Sequence, residues 1–498
     1  MKVSAWTKHM NLDDLRIRTP KQEGNALFLL KSILVLVTVY CIVSFINTSG
    51  IIASHHHIGC ESIKVQSKTT QSVKCSRDDE RLPGTTQVHH IQFAIGGSIK
   101  SWDQRKRYPE VWWVPNATRG FVWLEGKVPE NYSWPATSPP FRVSADTSRF
   151  KYTNPDGARS AIHLARMVKG SFEEQLKDVR WFVFGDDDTI FYVENLVMVL
   201  RKYDHAQMHY IGGISESVHS NEYHSYEMAY GGGGYAVSYP LAKLLAGTID
   251  GCIDRYSSAY GSDLKVQGCI SEVGVPLTIE RGFHQLDIKG DPYGILAAHP
   301  VAPLVSLHHM DTFDPIIPGK SRFEALAQLQ KGYKLDPGRA LQQSFCYVPS
   351  RNWTFSVSWG YTVQIYPRLV SAQELQQKLL TFMTYEYGYR PFTFDTRPIG
   401  SSCDPPIIYY MDEGSLTSGH TFTKYKRSID EINRVCDTPN YTAAFNVEYV
   451  NVVAPTLPHN YWHSAPRRQC CDARADQKSH DTVHVTIRSC SAFETVTP

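Results

Sequence analysis

The stretch WFVFGDDDTIFY, residues 181–192, runs four apolar side chains and a glycine straight into Asp186, Asp187 and Asp188, and then returns to apolar residues. A short apolar run of this kind reads as a buried strand, so the triplet falls at the end of a core strand. Three like charges side by side repel, and burying them unpaired would cost several kcal/mol. The stretch therefore requires a sheet whose strand end opens on something positive. In extended geometry Asp186 and Asp188 point to one side and Asp187 to the other. Two carboxylates converging there form a hard-oxygen site suited to Mn²⁺ or Mg²⁺. An exposed acidic turn is the plainer reading of a lone triplet, and the apolar run before it argues against that.

The surrounding pattern supplies a sheet for this strand to join. Val88 to Ser98 reads as a strand ending in glycines, followed by the charged and aromatic WDQRKRYPEVWW, and GFVWLE from Gly120 reads as the next strand. Ile162, Leu164–Ala165, Val168 and Phe172 carry helical spacing. A helix is expected over VENLVMVLRKY, a strand over HYIGGIS, and a second helix opened by Pro240. Alternating strands and helices predict an α/β layer with a mixed or parallel sheet and its site at the strands' C-terminal ends. Beyond about residue 318 the character changes to strand-like alternation, prolines and six cysteines. This part reads as a β-leaning, disulfide-tied region (319–498) with one helix near AQELQQKLLTFMTYE, following an α/β domain over 85–318.

The N-terminal part implies a membrane. Ala26 to Ile46 is a 21-residue apolar stretch broken only by Lys31, long enough to span a bilayer at about 1.5 Å per residue. Lys2, Lys8, Arg16, Arg18 and Lys21 precede it, and Asn47 to Gly59 carry no Lys or Arg. The charge bias places residues 1–25 in the cytosol, the anchor at 26–46, a polar stem at 47–84 and the rest across the membrane. A cleaved signal peptide is the rival, against which stand the long polar preface and the want of a clear cleavage site. Ten of the eleven cysteines fall beyond the span, an even number suited to an oxidising compartment. Glycosylation sequons begin at Asn116, Asn131, Asn352 and Asn440, with a fifth at Asn47 beside the bilayer. The expectation is a single-pass type II protein of the Golgi with a lumenal body. Net charge is +2, which gives no case for a nucleic-acid partner.

Three further elements carry candidate chemistry. YGGGGYAVSYP (230–240) contains four glycines that permit close approach of a ligand to main chain, Gly232 and Gly233 at their centre; no Lys-Ser/Thr follows, so this is not a P-loop. Cys252 and Cys269 close a loop across Asp263, and the two are expected to pair. An aspartate in a walled loop can serve as a general base, although most such aspartates cap helices. His284, His308 and His309 are each able to complete a metal shell; packed or surface imidazoles are the plainer reading.

Taken together, WFVFGDDDT, AYGGGGYAVS, the Ser262-Asp263 loop and GFH occur in the order found in fringe-like β-1,3-glycosyltransferases, which the chain resembles. DTSRFKYTN, YIGGISES, HPVAPLVSLHH and APRRQCCDA extend the resemblance to a plant branch of fringe-like type II membrane proteins, over residues 85–495. The resemblance implies a GT-A (nucleotide-diphospho-sugar transferase) fold, a UDP-sugar donor, Mn²⁺ as cofactor and inversion at the anomeric carbon. It implies Asp186 and Asp188 as metal ligands, with Asp186, Asp187, Gly232 and Gly233 at the donor. Asp263 falls at the position of the catalytic base and His284 at or beside that of the metal histidine. Two positions depart from the family pattern. Ser262 stands where relatives carry a second acidic residue, and Leu286 where fringe has a second histidine, which leaves the metal imidazole open between His284, His308 and His309. The expected activity is transfer of a sugar to a glycan, glycoprotein or small-molecule hydroxyl. The rival is a sugar-binding scaffold that has lost catalysis; a calcium-dependent adhesion protein is disfavoured because the triplet lacks the spaced ligands of a Ca²⁺ loop.

Overall fold

The computed structural model describes residues 38, 85–385, 391–401, 403–430, 436–476, 479 and 481–498. The expected cytosolic tail, stem and Asn47 sequon lie outside the described residues, as does the expected anchor except for Thr38, which is helical and exposed. Among the described residues no helix is long and apolar enough to cross a membrane. Residues Arg81–Pro498 form one compact unit.

Its α/β part is a seven-stranded mixed sheet. The strands are β1 (Ile91–Gly97), β2 (Gly120–Leu124), β3 (Phe141–Val143) and β4 (Trp181–Asp186), then, after the short β5 (Ile190–Phe191), β6 (Tyr210–Gly212), β7 (Tyr235–Ser238) and β8 (Leu277–Ile279). Their order is β3-β2-β1-β4-β7-β6-β8; β1, β2, β3 and β4 are parallel, and β7 runs antiparallel to β4 and β6. Along β4 the side chains alternate between two cores. Trp181 and Val183 join one cluster, while Phe182 and Phe184 join the other. A strand buried on both faces has no polar face to show, which is why WFVF reads as a continuous apolar run. Burying each such side chain is worth about 1.5–3 kcal/mol, so the strand's position, and with it the triplet's, is firmly held.

Helix α1 (Ser160–Glu173) buries Ile162, Ala165 and Val168, the residues whose spacing predicts it. α2 (Val193–Leu200) follows β5, α3 (Tyr239–Arg255) has Pro240 in its first turn, and α4 (Ser262–Val273) ends at Gly274, whose φ of 83° only glycine adopts without strain. Helices α1, α3 and α4 pack into one core cluster, on one face of the sheet, and α2 into the other. The Cys252–Cys269 disulfide joins α3 to α4 with a Cα–Cα distance of 5.7 Å, as the sequence suggests.

Against the opposite face lies a small sheet in which β5, β9 (Phe283–His284) and β11 (Ser306–Leu307) pair, with β10 (Ile288–Gly290) between the last two in sequence. Beyond α5 (Arg322–Leu335), eight strands between Gln343 and Arg488 close into a barrel. Three disulfides, Cys346–Cys471, Cys403–Cys436 and Cys470–Cys490, tie it. Cys41, Cys60 and Cys75 lie outside the described residues.

One expectation fails. The helix foreseen over AQELQQKLLTFMTYE is a single turn, Ala372–Leu375, capped by Ser371. Lys378–Leu379 then pairs with Thr396–Arg397, and Phe382–Thr384 with β10. Phe382, Met383 and Thr384 are 4%, 65% and 4% exposed; that period of two, locked by pairing with β10, overrides the local helical propensity.

Candidate functional site

β1 and β4 pair in register Gly96↔Asp186, so the triplet leaves the sheet beside two glycines. A Cβ at Gly96 would lie 3.4 Å from Asp186 Oδ1, and one at Gly97 3.6 Å from Asp187 Oδ2. The aspartates then separate as extended geometry requires. Asp187 accepts from Arg105 at 2.9 Å, whereas Asp186 and Asp188 both face His308, at 3.9 and 3.1 Å from its Nε2. Arg105 also reaches Asp188 at 3.6 Å and Asp311 at 3.0 Å. It comes from the helical turn Trp102–Arg105, anchored by the fully buried Trp102. Arg105 and His308 are the positive charges the triplet requires. The sequence reading missed Arg105, since the WDQRKR stretch offers several cations and no local signal says which one turns inward.

Four carboxylates thus face two cations. Burial raises Asp186 to about 7, with Asp188, Asp187 and Asp263 adding to the rise and His308 opposing it. Burial likewise raises Asp187 to about 6 against the pull of Arg105. For Asp188, burial is outweighed by His308 and Arg105, and its carboxyl is held well below the usual range. His308, though buried, is raised to about 9 by Asp188 and Asp186.

Asp188, His308 and His309 offer ligand atoms that all lie within 4.8 Å of one another. Asp188 Oδ1 is buried, with His308 Nε2 at 3.1 Å as its ion-pair partner. A buried carboxylate oxygen converging with two imidazoles fits a divalent cation bound by mixed N/O donors. His309 adopts a φ of 55°; this left-handed turn at a non-glycine residue costs energy and brings two successive rings to one side, centroids 3.8 Å apart.

The glycine loop closes the site from above. Thr189 Oγ1 accepts from Asp186 N–H (2.8 Å) and donates to Gly232 O (2.7 Å), and Gln285 Oε1 accepts from Gly233 N–H (2.7 Å). A Cβ at Gly232 would lie 2.0 Å from His308 Cε1, so only glycine lets the imidazole reach the aspartates. Asp263, in the first turn of α4, accepts from Gly231 N–H at 3.1 Å and from Leu264 N–H at 3.2 Å. The loop thereby places Asp263 within electrostatic reach of Asp186.

His284 stands apart. β9 and β11 pair in register His284↔Leu307, so the side chain of His284 shares a face with Leu307 while His308 points the other way. Both His284 nitrogens are engaged: Nδ1 lies 3.2 Å from Glu216 Oε1 and Nε2 3.0 Å from His299 Nε2. Of the three histidines left open by the sequence, His308 and His309 join the triplet and His284 does not.

Residues 220–471, a little over half of the 498-residue chain, match the family model described as "Protein of unknown function, DUF604". The chain belongs to this family. Residues 143–290 of this DUF604 protein are also similar to the fringe-like model, within a chain that has a mixed α/β body and a disulfide-tied C-terminal region. The fringe-like match takes in the triplet, the glycine loop, Asp263 and His284 and stops before His308; the DUF604 match takes in both halves of the histidine question. Among solved structures, a glycosyltransferase involved in the glycosylation of the major capsid of PBCV-1 matches 48% of this chain and 98% of its own, at 10% identity and a TM-score of 0.27. Comparison with curated proteins gives no match.

Proposed function

We propose that this glycosyltransferase-like chain transfers a sugar from a UDP-sugar to a hydroxyl of a glycan, glycoprotein or small molecule in the Golgi lumen, with inversion and with Mn²⁺. The observation that carries the reading is the Asp188–His308–His309 cluster, whose ligand atoms converge at a core strand's end. Asp188, His308 and His309, with Asp186 beside them, would hold the cation. A bound divalent ion supplies Lewis acidity toward the charge that develops on a leaving diphosphate. The protein's own groups do the rest. Arg105 fixes Asp187 and Asp188, and the glycine loop would let the donor approach main chain closely. In this reading Asp263 takes the acceptor hydroxyl's proton.

A second reading is a sugar- or nucleotide-sugar-binding protein without turnover. It is favoured by one observation: Asp263 already accepts two backbone N–H bonds, which suits a structural tie. UDP release measured over a panel of UDP-sugars, with and without Mn²⁺, separates the two. Mn²⁺-dependent release that Asp188→Asn abolishes supports the enzyme. UDP–Mn²⁺ binding with no release from any donor supports the binding protein.

A further inference from the structure

His284 looks into a cavity of about 510 Å³ that none of Asp186, Asp188, Asp263, His308 or His309 lines. Glu216, His284 and His299 bound it from the α/β side, and Gln343, Lys378 and Arg468 from the barrel side. Its two buried acids are already committed: Glu216 accepts from Leu286 N–H at 2.7 Å and lies 3.2 Å from His284 Nδ1, and Glu280 pairs with Lys202 at 2.8 Å, while Asp395 on the lining is exposed. The histidines are spoken for as well. His299 Nδ1 faces Pro300 O at 2.8 Å and so carries its hydrogen there, leaving Nε2 to accept from His284.

The cations are not committed. Lys378 is 9% exposed, held by the pairing of Lys378–Leu379 with Thr396–Arg397, and its ammonium lies 4.3 Å from the ring of Phe394. Glu216 and Asp395 act on it only from beyond ion-pair distance, among the described residues, and burial brings it down to about 8. Arg468 stacks on Phe345 at 4.2 Å, and its Nε is buried with no hydrogen-bond partner among the described residues. A buried cation without a counter-ion costs several kcal/mol. The buried Lys378 and the half-buried Arg468, with its enclosed Nε, line one cavity together with the exposed Arg281 and make a receptor for an anion, and a volume of this size falls in the range of small-molecule sites.

We propose that this cavity is a second ligand site, distinct from the triplet, that binds a monosaccharide-sized anion (a hexuronate or a sugar phosphate) with its acidic group on Lys378 and Arg468 and its ring against Phe394. A guanidinium fork matches either oxyanion. The glutamines on the rim offer donors and acceptors to hydroxyls, and an aromatic face suits the C–H side of a pyranose. Because β9 and β11 carry His284 on one side and His308 on the other, an occupant of the cavity packs on the strands that position the triplet's imidazole.

Calorimetric titration of the full-length protein tests this with four probes: glucuronate, glucose 6-phosphate, inorganic phosphate and glucose. At least one acidic sugar should bind with a dissociation constant below about 1 mM, at least tenfold tighter than glucose and than inorganic phosphate. Glucuronate and glucose 6-phosphate tell the carboxylate source from the phosphate source. Lys378→Met should weaken that binding at least tenfold and leave UDP–Mn²⁺ binding unchanged; Arg468→Gln serves where Lys378→Met does not fold. The proposal is overturned if no acidic sugar outbinds glucose, if inorganic phosphate binds as tightly as the sugar phosphate, or if the substitutions have no effect. Loss of acidic-sugar binding in Asp188→Asn would also overturn it, by assigning that binding to the triplet.

Discussion

At the scale of single residues, the site divides into groups that hold a cation and one that handles a proton, and substitution should separate them. Asp188→Asn removes a ligand oxygen, so Mn²⁺ and UDP binding should weaken and activity fall with them. Asp263→Asn leaves the cluster intact, so UDP–Mn²⁺ affinity should survive while turnover drops by about 10²-fold or more. Calorimetry beside transfer rates checks both, and normal turnover in Asp263→Asn would remove that residue from the chemistry. The same residues set a pH dependence. His308 has its pKa raised above 6.5 to about 9, so it is protonated at neutral pH and its attraction to Asp188 is lost as pH rises through about 9. A cation must displace that proton. Mn²⁺ affinity should therefore rise by about tenfold per pH unit between pH 7.5 and 8.5, with close to one proton released on binding; titration in two buffers of different ionisation enthalpy measures it. A pH-independent affinity would mean that His308 is not a ligand. Much of this was legible before the fold was known, because the triplet and Asp263 sit in short motifs. Arg105 was not, since a helical phase decides which of its neighbours turns inward. Nor was the choice of His308 over His284, which depends on the register of two short strands far apart in sequence.

At the scale of elements, the glycine loop determines whether the site can form. Gly232 has His308 where a side chain would be. Gly232→Ala should displace the imidazole, weaken Mn²⁺ binding at least tenfold and lower stability by about 1–3 kcal/mol as an overpacked core does. Denaturant melts and Mn²⁺ titration of that variant are the check, and unchanged Mn²⁺ affinity would place the cation elsewhere. The α/β elements announce themselves locally because apolar residues repeat with a period of 3.6 on α1 and α3 and form a continuous run on β4. The turn at Ala372–Leu375 misleads for the opposite reason: a helical-looking composition yields to strand pairing with β10, which no local pattern records.

At the scale of the molecule, the α/β part and the barrel share a core. Tyr192 and Leu296 from the first cluster with Leu326, Leu329, Tyr361 and Phe382 from the second half of the chain. Barrel closure, which joins Cys346 to Cys471 across 125 positions, is beyond what alternation alone can foretell; the cysteine count only required that some ties exist. Residues 85–318 expressed without the rest should therefore expose that shared face and fail to give a soluble, cooperatively unfolding protein. A sharp thermal transition for that fragment would show the two parts to be independent. The triplet lies at one strand end of this scaffold, and the assignment of its imidazole is the claim most open to direct test. UDP binding should be measured by calorimetry with and without Mn²⁺ for wild type, His308→Ala and His284→Ala. The account predicts Mn²⁺-dependent UDP binding in wild type, its loss by at least tenfold in His308→Ala, and its retention in His284→Ala. Retention in His308→Ala together with loss in His284→Ala would contradict it.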